Sequence, residues 1–188
     1  FISQTCQTDM METSRIKWID KFIISAIIQG GIITVMSFVI VGFQATHTEI
    51  NLIQYLSNTF EGTAKWFFIG IILYLIIVVA IAVTGLFYNH LEINLKRKFS
   101  GGLKALAWIH LIGMNVGGAG AMLYMIFAGL AGTGVLSLFT EGTLGKQNLA
   151  IMDSFIEPIG VFIGLLGIGV MCGGIGFVIA YRRKSESN

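Results

Sequence analysis

The sequence predicts an all-α membrane protein of four transmembrane helices, with both termini on the cytoplasmic side. Three observations predict it. Hydrophobic residues make up 55% of the 188 and charged residues only 12%, about half the charge of a soluble domain. Mean hydropathy is +0.81. Four apolar runs, about 22–43, 66–88, 105–130 and 156–181, each reach the roughly 20 residues that cross a hydrocarbon core about 30 Å thick. Backbone groups in lipid must bond within their own segment, so these runs are helices.

Orientation follows from basic residues, which are retained on the cytoplasmic side. Arg15, Lys17 and Lys21 precede the first run, Lys96, Arg97, Lys98 and Lys104 lie between the second and third, and Arg182, Arg183 and Lys184 follow the fourth. Lys65 and Lys146 fall on the other side. The expected setting is a multi-pass protein of the plasma membrane, or alternatively of the mitochondrial inner membrane.

The chain begins at Phe1, which points to a removed leader or a longer chain. Residues 1–14 form a polar tail without the apolar core of a signal peptide. Cys6 in that tail and Cys172 in the fourth run belong at different depths, which argues against a disulfide between them. In the first outer segment, Ile50, Ile53, Leu56 and Phe60 have the spacing of a short interfacial helix. The second run, Trp66 to Tyr88, is dominated by large apolar residues and suits lipid or a broad apolar partner. The apolar stretch of the third run continues to Phe139, too far for one straight crossing, so a helix end near Leu130 and a bend or re-entrant turn over 128–134 are expected. Before the fourth run, Ser154-x-x-Glu157 followed by Pro158 reads as a capping box that starts the helix. Glu49, Glu61, Glu141, Asp153 and Glu157 make the outer face acidic, able to receive a basic soluble partner.

The chain holds 24 glycines. Gly113, Gly117 and Ala121 recur every four residues, as do the pairs Gly160/Gly164 and Gly169/Gly173. In lipid, small residues at this spacing let helices approach closely, within the bundle or against a neighbouring subunit. Gln29, His110 and Asn115 are polar at membrane depth, where they either bond between helices or line a path. No acid or base sits in the middle of a run, which argues against a proton-coupled carrier. His110 and Met114 share a helix face, and with Met36, Met171 or Cys172 they would offer soft ligands to copper. Alternatively, Met fills gaps and His bonds a neighbour. His47, Glu49 and Glu61 share the outer segment and offer a second arrangement of metal-ligating types. His90 and Glu92 read as ordinary interface polarity. No nucleophile constellation, phosphate loop, nucleotide fingerprint or nucleic-acid signature is present.

The stretch Trp108-Ile109-His110-Leu111-Ile112-Gly113-Met114-Asn115, followed by Ala128-Gly129-Leu130-Ala131-Gly132, resembles the penultimate helix of the main subunit of heme-copper oxidases. The resemblance covers at most residues 20–184 and implies a helical scaffold of the same membrane direction. The chain departs from that family where its ligands would stand. Ala64-Lys65-Trp66-Phe67 has no histidine pair, and Thr133-Gly134-Val135 replaces the Pro-Arg-Arg that follows in the family. The expectation is therefore a non-catalytic subunit of a larger membrane redox metalloenzyme complex. Its partners would be other membrane subunits and lipids, and any heme or copper would lie in a partner subunit rather than in this chain. The alternatives are a small oligomeric channel or transporter, with Gln29, Asn115 and His110 lining the path, and an enzyme holding metal through His110 and Met114.

Overall fold

The computed structural model describes residues 17–46 and 49–183. The polar tail with Cys6 and Arg15, and also His47 and Lys184, lie outside the described residues. Seven α-helices occupy the described chain: α1 (Trp18–Thr46), α2 (Leu52–Asn58), α3 (Lys65–Asn89), α4 (Gly102–Ile112), α5 (Ala119–Gly132), α6 (Val135–Glu141) and α7 (Ala150–Arg182). A widened π-type turn, His90–Asn94, follows α3, and another, Gly113–Gly118, joins α4 to α5; ahead of α3, the segment Phe60–Ala64 is kinked at Gly62, whose φ of −95° and ψ of −127° are not helical. Four helical stretches are long and apolar enough to cross a membrane: Trp18–Thr46, Phe60–Asn94 (kinked at Gly62), Gly102–Gly132 and Ala150–Arg182. All extend several residues beyond the apolar runs read from sequence, because the polar ends continue the helix past the hydrocarbon core. At 29 residues, α1 is about 43 Å long.

The crossings neighbour one another in chain order, with α1 against α3, α3 against α5, and α7 along α4 and α5. The third crossing is the most enclosed. In its most apolar window 61% is buried, against 11% in the first crossing and 17% in the fourth, so α1 and α7 form the flanks. The buried residues of α1, Trp18, Phe22, Ala26 and Ile33, keep to a single stripe.

Glycine sets the close approaches. A Cβ on Gly113 would lie 2.5 Å from Gly169 Cα, and one on Gly117 would lie 2.5 Å from Leu166 N, so α4, its widened turn and α7 meet backbone to backbone. Gly173 lies against the His110 ring, and Ala121 is fully buried. Gly160 and Gly164 take no part in packing within the chain: a Cβ at either would meet nothing within 4 Å, because α7 turns that face away from its own bundle. Sequence also missed close packing at the second crossing. Gly70 lies on the backbone of Met122 and Ile126, and Gly129 on the backbone of Phe67.

One local reading needs correction and another is filled in. The fourth crossing does not start at a capping box. α7 begins at Ala150, Ser154 Oγ donates to the Ile151 carbonyl (2.6 Å), and Pro158 lies inside the helix. The loop ahead of it supplies the start, with the Asn148 side chain accepting from Ala150 N (3.0 Å). In the first outer segment the short helix forms, but it closes one end of the bundle. Leu52 and Leu56 are buried while Ile53 and Phe60 face outward, and Tyr55 Oη donates to the Thr133 carbonyl (2.8 Å). The third crossing ends at Gly132, and the chain reverses through Gly134 at φ +79°, packed against the backbone of Gly145. That φ suits glycine, which has no Cβ to clash.

Candidate functional site

The polar side chains inside the bundle gather along the third crossing at two depths. At the middle, Tyr74 Oη of α3 donates to Gln29 Oε1 of α1 (2.6 Å). Gln29 Nε2 donates to Asn115 Oδ1 (3.2 Å), and Asn115 Nδ2 donates to the Leu111 carbonyl (2.9 Å). Three crossings are thereby tied by one chain of hydrogen bonds. Sequence singled out Gln29 and Asn115. It missed Tyr74, whose ring is indistinguishable in a sequence from the other large residues of that run. Both ends of each amide already have a partner, so the network is closed upon itself.

Asn115 sits within the widened turn Gly113–Gly118. Such turns loosen the regular ladder and accumulate at functional positions. Three glycines in six residues explain this one: Gly113 and Gly117 let α7 in, and a Cβ on Gly118 would meet the Ile77 side chain.

One to two turns toward the Lys/Arg-rich end, His110 is buried in a ring of aromatic side chains. Phe22, Tyr88 and Phe177 lie with centroids 5.4, 6.0 and 5.7 Å from it. Its Nδ1 is 3.3 Å from Tyr88 Oη. Met114, one turn on, accepts from Thr84 Oγ1 at 3.7 Å. The two residues proposed from sequence as a soft-metal pair thus each have a partner of their own. Of their suggested companions, Met171 is 68% exposed on the far face of α7, and Met36 packs into the other half of the core. Cys172 is a free, partly exposed thiol. Among the described residues no three His, Cys, Asp or Glu side chains converge as a metal site.

The Lys/Arg-rich end is organised by Glu92, which from sequence reads only as ordinary interface polarity. Its Oε2 accepts from Trp18 N (2.9 Å) at the start of α1, while Asp20 accepts from Lys17 N (3.0 Å). Together they satisfy donors that a helix start leaves open. Lys21 Nζ lies 4.0 Å from the Trp18 ring centroid and 4.5 Å from that of Trp108. These contacts hold Lys17, Lys21 and the His90–Asn94 turn at one end. Glu61, Glu141, Asp153 and Glu157 are exposed on segments that meet at the other.

Comparison with protein-family models, with curated proteins and with solved structures finds no match for this chain. Its functional reading rests on its own geometry.

Two opposed faces of α7 complete that geometry. Gly169, Gly173 and Gly176 are buried against the third crossing. Gly160, Gly164, Gly167 and Gly174 meet no atom within 4 Å, or none beyond their own helix. At 3.6 residues per turn the two sets lie about half a turn apart. Met171 and Val178 continue the outward stripe, both more than half exposed.

Proposed function

We propose that this chain is a non-catalytic subunit of a larger integral membrane complex, of the redox metalloenzyme kind, seated through the outward glycine face of α7. The open stripe Gly160/Gly164/Gly167/Gly174 carries the reading. A glycine inside a helix costs about 1 kcal/mol relative to alanine. Facing lipid it gains nothing in return, whereas under a partner helix it permits close backbone approach. The third crossing supports the redox assignment through its resemblance to a heme-copper oxidase helix. In this reading any heme or copper belongs to a partner, and both termini face the cytoplasm with the Lys/Arg-rich end. The hydrogen-bonded core then acts as a rigid strut.

Gentle extraction from the native membrane followed by native mass measurement tests the assembly. The expected result is a mass well above that of one chain, reduced to the lone chain by Gly167→Leu. A stable monomer from the native membrane overturns the proposal.

A further inference from the structure

At the Lys/Arg-rich end, between the loop leading into α4 and the last turn of α7, lies a groove of about 420 Å³. Leu103, Leu106 and Ile179 form its apolar wall, and Ser100, Gly102 and Arg183 line the rest. Leu103 is buried and Leu106 packs against Gly176, so the wall is anchored in the bundle, while Ile179 stays exposed along the groove. Arg183 is exposed just beyond the end of α7. The groove therefore changes character along its length, from hydrocarbon-like to cationic, at the level where a helix leaves the membrane.

From this juxtaposition we infer that the groove is a binding site for one anionic phospholipid, with its phosphodiester on Arg183 and its first acyl methylenes along Leu103, Leu106 and Ile179. Charge complementarity selects the occupant. Lys96, Lys104 and Arg182 lie on the same segments as the groove, and among the described residues of this end only Asp20 and Glu92 carry negative charge. Glu92 is already engaged with the start of α1. Basic pockets between transmembrane helices favour anionic headgroups, while a soluble phosphate would leave the apolar wall unused. A peptide partner would need a matching acidic segment with no call for hydrocarbon. The inference is independent of what covers the glycine face of α7.

Gly102 permits a clean test. A Cβ there meets nothing within 4 Å, so Gly102→Leu fills the groove without altering charge or pushing on the bundle. The full chain, extracted with its native partners and exchanged into nanodiscs containing phosphatidylglycerol or phosphatidylcholine, is analysed by native mass spectrometry. The expected result is one retained phosphatidylglycerol per chain, not displaced by phosphatidylcholine or by inorganic phosphate. Arg183→Gln and Gly102→Leu should each weaken retention about ten-fold, and Lys98→Gln should leave it within two-fold. Retention unchanged in Arg183→Gln, an equal loss in Lys98→Gln, or displacement by inorganic phosphate overturns the inference. Arg183 lies outside the helices, so this arm is readable even if Gly102→Leu folds poorly.

Discussion

Gly113 and Gly169, both singled out by their spacing in the sequence, meet each other directly in the structure. Nothing flexible lies between them, only backbone, so a methyl group at either position must move a helix. Gly113→Ala is expected to destabilise the chain by about 1–3 kcal/mol, seen as a lowered thermal midpoint in detergent; an unchanged midpoint would show that the crossing is looser than described. Gln29 is a second sensitive point, since it alone joins Tyr74 to Asn115. Gln29→Leu leaves two polar groups without their partner and should cost about 1–2 kcal/mol. Adding Tyr74→Phe and Asn115→Leu should recover part of that loss, because an unpaired group costs more than an absent one. Strictly additive losses in steric-trap unfolding would contradict the closed network. Gln29 and Asn115 were legible because amides are rare at membrane depth. Tyr74 and Glu92 were not, because their roles depend on which residues of distant segments stand opposite them.

At the scale of the elements, α7 is a helix with two unlike glycine faces. Spacing by fours marked two glycine pairs on α7 but could not say which faced inward, since that depends on how the helix is rotated about its own axis. The structure assigns Gly169 and Gly173 inward and Gly160 and Gly164 outward. Gly169→Leu is therefore expected to lower the thermal midpoint of the isolated chain sharply. Gly164→Leu should leave it within the range of ordinary surface changes, about 0.5 kcal/mol. Equal effects would mean that both faces are packed within the bundle. The start of α1 makes a different prediction. Glu92 holds that turn from across the bundle, and hydrogen bonds to a charged group contribute about 1.5–3 kcal/mol. Glu92→Ala should speed amide exchange over residues 18–21 by about ten-fold or more, with α3 itself unchanged. The start of α7 shows the limit of local motif reading: Ser154-x-x-Glu157 has the pattern of a cap, yet Asn148 and the loop fixed by Gly132 and Gly134 begin the helix a turn earlier.

For the whole molecule, four apolar runs were enough to anticipate four membrane-length helices, because hydropathy is a property of each run alone. Their mutual arrangement was not legible. The order of neighbours, the central place of the third crossing and the exposed flanks of α1 and α7 come from side chains matching across the bundle. The proposed orientation is tested at this scale. Protease added to the cytoplasmic face should remove a tag from the C-terminus, and protease on the opposite face should cut an epitope inserted at residues 143–147. The reverse pattern would invert the molecule and place the phospholipid groove in the other leaflet.

The three tryptophans are distributed unevenly: Trp18 and Trp108 meet edge to face at 5.4 Å at the Lys/Arg-rich end, while Trp66 lines a groove with Asp153 at the other. The molecule thus carries separate optical reporters at its two ends. The Trp18–Trp108 pair is close enough for exciton coupling in near-ultraviolet circular dichroism, a signal that vanishes when α1 swings away from α4. Trp66 emission reports only on the opposite end. With Trp66→Phe, or with Trp18→Phe and Trp108→Phe together, one end at a time can be read when a partner or a lipid binds.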